Sequence, residues 1–217
     1  MKNLLILVFC IVGLIGTAQS QSLKSKWSAG IDYGSAKVQN QTTEAATSFV
    51  SRLGGSVSIT QSSSISNFRI YGGYTLDENL GFELGYNNTS DVNLTYSGTS
   101  GSTYSNTAYS GNIGMKYTGF DYSALIRPSI SSGWNNMFFR VGMHNLDAKI
   151  SGTIAVSTTS VAYSSTTSGS GPMIGIGYDT KVSDDIDLRA QYTRLTKIAG
   201  VSGSDSNMYM IGLRKSF

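Results

Sequence analysis

From Lys26 onward the chain alternates apolar and polar residues with a period of two, broken by short turns or by long Ser/Thr/Gly-rich connections. That period belongs to strands with one greasy face and one polar face. In WSAGIDYG, Trp27, Ala29, Ile31 and Tyr33 share the apolar face, opposite Ser28, Gly30, Asp32 and Gly34. FRIYGGYTLDENLGFELGYNN reads as two strands about a tight turn at Leu76 to Asn79. Phe68, Ile70, Tyr74, Phe82, Leu84 and Tyr86 point one way there, and Arg69, Tyr71 and Glu83 the other. GFDYSALIRPSI sets Phe120, Tyr122, Ala124 and Ile126 against Asp121, Ser123, Leu125 and Arg127, and MFFRVGMH sets Phe139, Val141 and Met143 against Phe138, Arg140, Gly142 and His144. PMIGIGYDT, IDLRAQYTRL and MYMIGLRKSF repeat the pattern, with Asp179, Asp187, Arg189 and Arg214 on their polar faces.

These stretches predict an all-β chain of about eight strands, in which short turns (76–79, 131–136, 182–185) alternate with longer connections (about 38–66, 91–106, 149–171 and 196–207). Strict sorting of short from long has a ready cause in an antiparallel, up-and-down transmembrane β-barrel. Its termini and short turns lie on the periplasmic side, its four longer loops lie outside the cell, and its apolar faces meet lipid. Lipid also demands closure, because no backbone N–H or C=O at membrane depth can be left unpaired. The final strand, with Tyr209, Ile211 and Leu213 outward, Gly212 inward and Phe217 at its end, is therefore expected to pair with the first and to carry the handle for barrel assembly.

Placing the polar faces in the lumen puts Arg69, Arg127, Arg140, Arg189 and Arg214 indoors with Asp32, Glu83, Asp121, Asp179 and Asp187. Five charges of each sign are expected to neutralise one another as a packed network, since a barrel of eight strands is normally filled by its own side chains. A selective ion path is the alternative reading of the same ten residues. Trp27, Tyr33, Tyr74, Tyr86, Phe120, Tyr178, Tyr192, Tyr209 and Phe217 fall near strand ends, where aromatic girdles sit at the two bilayer interfaces.

The first twenty residues are a separate object: Lys2, then an apolar run from Leu4 to Ile15, then GTAQS. This is the layout of a secretory signal peptide over residues 1–20, followed by a barrel domain over 21–217. Cys10, the one cysteine, lies in that apolar run, so the exported chain is expected to have neither disulfides nor thiolate metal sites. The formal net charge of +3, without basic runs, gives no footing for nucleic acid.

Three features could carry chemistry. His144, the only histidine, ends the inward run of its strand near the outer rim, and a lipid-modifying enzyme would need it to share acid–base work with a polar partner. GPMIGIGYD has the glycines of a phosphate loop but no helix after it, so its glycines are read as small inward residues that make room for larger ones. Thr153 to Tyr163 keeps alternating inside a polar connection, so the strands there are expected to run past the membrane as a protruding edge.

FRIYGGYTLDENLGFELGYNN, the terminal strand ending at Phe217, and GFDYSALIRPSISSGWNNMFFRVGMH together resemble the single-domain outer-membrane β-barrels similar to the OmpA transmembrane domain, including the small adhesion and accessory colonisation factor-like barrels of Gram-negative bacteria. The sequence departs from full-length OmpA in having no peptidoglycan-binding domain, and Lys215 stands where the terminal signal usually has an apolar residue. The resemblance implies a non-enzymatic barrel in the outer membrane, without a cofactor, displaying loops for surface interaction, adhesion or envelope integrity; a narrow channel is the alternative and a lipid-modifying enzyme a third. The implied partners are outer-membrane lipid and lipopolysaccharide, the barrel-assembly machinery and a surface or host ligand, with the barrel itself a monomer.

Overall fold

The computed structural model describes residues 26–38, 56–61, 64–101, 107–128 and 136–217. The signal peptide expected over residues 1–20, residues 39–55 of the first connection and most of the 131–136 turn lie outside the described residues.

The described strands are β1 (Trp27–Val38), β2 (Ser56–Gln61), β3 (Ile65–Thr75), β4 (Leu80–Thr89), β5 (Val92–Thr99), β6 (Ala108–Ile126), β7 (Met137–Val156), β8 (Thr159–Lys181), β9 (Ile186–Leu195) and β10 (Ser206–Ser216). Eight of them close into an antiparallel barrel in the order β1, β3, β4, β6, β7, β8, β9, β10 and back to β1. The seam between the first and last strands runs from Ser28↔Ser216 to Val38↔Ser206. Closure leaves no open sheet edge around the barrel wall, as lipid requires.

The two remaining strands extend others. β5 resumes the course of β4 after a step at Ser90 and Asp91, for β4 pairs with residues 118–126 of β6 and β5 with residues 108–115. β2 stands beside β5. With the upper parts of β6, β7 and β8 they form a sheet that rises above one end of the barrel, whereas β1, β9 and β10 stop at its mouth.

Two connections therefore differ from the sequence reading. The stretch 149–171, read as a loop with strands running into it, is a continuous hairpin whose strands join through Ser157 and Thr158 alone, with Ser157 at φ 54°. The connection at 91–106 contains β5, and β6 begins at Ala108, eleven residues before the apolar alternation becomes obvious. Both were hidden by hydroxyl residues on the outer face and glycines such as Gly98, Gly111 and Gly152 on the inner face, which flatten the hydrophobic contrast. At the other end the turns at 76–79 and 182–185 have the expected length: Asp77 accepts from the backbone N–H of Asn79 and Leu80, both at 2.8 Å, an Asx turn that fixes the β3–β4 hairpin.

Side chains sort by strand parity. Ile31, Tyr33, Phe82, Leu84, Phe120, Val141, Ile174, Ile211 and Leu213 are exposed on the outside. The interior holds two layers: the charged one in the half near the short turns, and above it an apolar plug containing Ala36, Ile65, Val92, Tyr117, Leu146, Met173, Leu195, Met208 and Met210.

Candidate functional site

The inward position of every second residue brings the ten charged residues of the polar faces into one connected network, to which all eight barrel strands contribute. The Arg69 guanidinium grips Asp121 with two parallel bonds, Nε to Oδ2 and Nη2 to Oδ1, both 2.8 Å. It also reaches Asp32 at 3.1 Å and Glu83 at 3.3 Å. Glu83 receives Arg140 on Oε2 and Arg189 on Oε1, the latter at 2.5 Å. Arg189 then holds Asp179 through Nε at 2.7 Å and Nη2 at 3.0 Å. Asp179 accepts from Arg127 at 3.0 Å and lies 3.3 Å from Arg214, which ends the chain of contacts on Asp187 at 2.5 Å.

Depth differs along that chain. Arg69, Arg140 and Arg189 are at most 1% exposed, while Arg127 and Arg214 are half-buried at the turn end, Arg127 just beyond the last residue of β6. Charges taken this far from water persist only when paired and hydrogen-bonded. Neutral side chains add to the network: Asn87 donates to Asp121 and Gln191 to Asp32, each at 2.6 Å. The guanidiniums also lie against rings, Arg189 4.5 Å from the Phe138 centroid and Arg69 4.5 Å from that of Tyr71.

Glycines make the room. A methyl on Gly30 would overlap the Tyr71 ring, one on Gly85 would overlap the Arg69 guanidinium, and one on Gly177 would overlap the Phe138 ring. Gly177 belongs to the GPMIGIGYD run, where β8 passes straight through; its small residues admit an aromatic ring.

His144 does not sit at the rim. It is fully buried where the charged layer meets the apolar plug, with twelve more residues of β7 above it. Its Nε2 lies 2.9 Å from the carbonyl oxygen of Thr196, so the imidazole ties down the β9–β10 connection. That connection folds inward through a short 3-10 turn, Ile198–Gly200, whose Ile198 and Ala199 join the plug. The plug escaped the sequence reading because its members come one or two at a time from many strands; only the inward parity of Met208 and Met210 hinted at it.

On the closing strand, Tyr209, Ile211 and Leu213 face outward and are well exposed, and Gly212 packs against Asp32 and the backbone of Ile31. The Phe217 N–H donates to the Trp27 carbonyl at 3.0 Å, and Lys215 lies 3.5 Å from Asp185 and 5.7 Å from the Phe217 ring centroid. Outward aromatics pair at both rims, Trp27 with Tyr74 at 4.8 Å at the turn end, Tyr86 with Phe120 at 5.2 Å and Tyr192 with Tyr209 at 5.1 Å at the other.

Among the described residues, the tall sheet ends in an uncovered edge. β8 pairs with β7 along its whole length but with β9 only from Met173 to Lys181. Among the described strands, none covers the other side of Thr159–Ser168, a stretch without Pro or charge.

A family model described as the outer membrane protein beta-barrel domain matches residues 6–214. Among solved structures, the attachment invasion locus protein Ail of Yersinia pestis is similar at 14% identity and a TM-score of 0.51, covering 90% of this chain and 100% of that one. The Neisserial surface protein A matches at 17% identity and a TM-score of 0.42, covering 90% and 100%. The outer membrane protease OmpT of Escherichia coli matches at 10% identity and 0.41, covering 93% and 100%. No curated protein matches the sequence.

Proposed function

The chain belongs to the outer-membrane β-barrel family, and on that premise we propose that it is a sealed, non-enzymatic barrel that presents its tall sheet at the cell surface for attachment. It sits in the outer membrane with the short turns in the periplasm and the tall sheet outside. The β8 edge carries this reading. No described strand pairs with the outer side of Thr159–Ser168, and an edge without Lys, Pro or a neighbouring strand is a template for an extended segment of a partner.

The packed interior supports the non-porous half of the reading. Ions would have to pass both a charge-balanced network and the mostly apolar layer above it. His144 gives its Nε2 to a backbone carbonyl, and among the described residues no hydroxyl or carboxylate hydrogen-bonds its Nδ1 to make a dyad.

The direct test replaces Ser151–Ser164 by Asn-Gly, joining Ile150 and Ser165, which are cross-strand partners, through a turn suited to a hairpin. Cells carrying the shortened protein are expected to lose the adherence that the full chain confers on a non-adherent host strain. Equal adherence by both, or none conferred by the full chain, would reject the reading.

A further inference from the structure

On the outer face of β6 and β7, the residues above the lipid-facing aromatics change character row by row. Tyr122↔Met143 and Phe120↔Asn145 come first, then Thr118↔Asp147, then Lys116↔Lys149, then Gly114↔Ser151 and Asn112↔Thr153. Phe120 is 56% exposed toward the lipid side, and four residues of strand place Lys116 about 13 Å farther along the chain. Strand tilt brings that to roughly 10 Å of height, the level of headgroups above a hydrocarbon edge.

The lysine row is anomalous. Like charges directly opposite each other on neighbouring strands repel, and no other directly opposed pair in the described strands carries two like charges. Among the described residues, neither lysine forms an ion pair. Asp147, on the same face one row lower, leaves the three-residue patch at one net positive charge. By contrast, Arg194, outward on β9, is neutralised by Asp205 at 2.9 Å.

We propose that this face binds one phosphorylated glycolipid of the outer leaflet, with Lys116 and Lys149 holding a phosphate between them. Its acyl chains lie along Phe120, Tyr122 and Met143, and its sugars meet the hydroxyl and amide groups of Asn112, Ser151 and Thr153. The order of acyl chain, phosphate and sugar in a lipopolysaccharide molecule is the order of the rows on the protein. An anion between the lysines also removes the repulsion that the bare pair carries. The inference rests on the outer-membrane placement proposed above.

The test uses the full folded protein in detergent, titrated with bisphosphorylated lipopolysaccharide, the same lipopolysaccharide after dephosphorylation, phosphatidylglycerol and inorganic phosphate, with bound lipid read by native mass spectrometry. Lys116→Gln with Lys149→Gln is expected to weaken binding of the phosphorylated form about thirtyfold, from the usual contribution of two surface lysines to binding an anionic lipid. Dephosphorylated lipopolysaccharide should bind the unaltered protein as weakly, and Lys37→Gln, a lone outward lysine on β1, should leave binding unchanged. Equal affinity of the double variant and the unaltered protein overturns the proposal, as does equal affinity for phosphatidylglycerol or inorganic phosphate. Unheated gel mobility of each variant confirms that it is folded. A failure here with the barrel still found in the outer membrane leaves the attachment reading standing.

Discussion

The guanidinium of Arg69 and the carboxylate of Asp121 meet edge to edge in the barrel interior through two bonds of 2.8 Å, between strands that are not neighbours in the barrel. β4 stands between β3 and β6, and its Gly85 has no side chain to block the crossing. The pair therefore bridges over β4 inside the barrel and fixes the register of three strands at once.

Asp121→Ala removes the bidentate partner and leaves Arg69 to share Asp32 and Glu83 with other groups. Breaking a buried pair from one side costs about 3–5 kcal/mol, so the urea midpoint for loss of the fast-migrating folded band should fall clearly. Asp187→Ala leaves Arg214, which is only partly buried, with Asp179 still within 3.3 Å, and should move that midpoint less. Equal effects would mean that the network does not act through burial.

Gly85 and Gly72 lie on the same hairpin but on opposite faces. Gly85→Ala drives a methyl into the Arg69 guanidinium, whereas a methyl on Gly72 meets nothing within 4 Å. Overpacking of this kind costs about 1–3 kcal/mol, and a substitution away from such features stays within about 0.5 kcal/mol. Equilibrium unfolding in detergent micelles should separate the two variants in that order.

The lipid-facing half of the barrel was readable from the sequence because Ile, Leu, Phe and Tyr at every second position contrast sharply with Gly, Ser and charge. The same parity picked out all ten residues of the interior network, since each polar face has one direction in which to point. It could not give their partners, which depend on strand tilt: Arg69 meets Asp121 two strands away while its direct opposite on β4 is Asn87. The tall sheet was half legible. Val92, Leu94 and Tyr96 alternate, but against Asn93, Thr95 and Ser97, a polar face that reads equally well as loop. The apolar plug was illegible, because Ile198 and Ala199 enter the barrel from a turn whose course is set by a bond from buried His144.

Planar bilayers holding the purified barrel should show no steady conductance, and Arg140→Ala should remain silent, because removing one charge leaves the apolar plug in place. A reproducible channel whose selectivity shifts in Arg127→Ala or Arg140→Ala would establish the channel reading instead.

His144→Ala leaves the Thr196 carbonyl without its ring partner at the top of the charged layer. Loss of a buried hydrogen bond of this kind costs about 1–3 kcal/mol, and protease cleavage within residues 196–205 should become faster. The lipid A of cells expressing the protein should have the same composition with either residue at position 144; a change that depends on the histidine would reinstate an enzyme.

Every functional statement stands on a closed barrel in the outer membrane, and the mobility of the protein on a gel, with and without boiling, in a separated outer-membrane fraction tests that most directly. The expected result is a protein confined to that fraction, migrating faster before boiling than after, with Tyr209→Asp and Leu213→Asp together abolishing the fast form. A protein recovered in the soluble fraction, or one whose mobility is the same with and without boiling, would contradict the account.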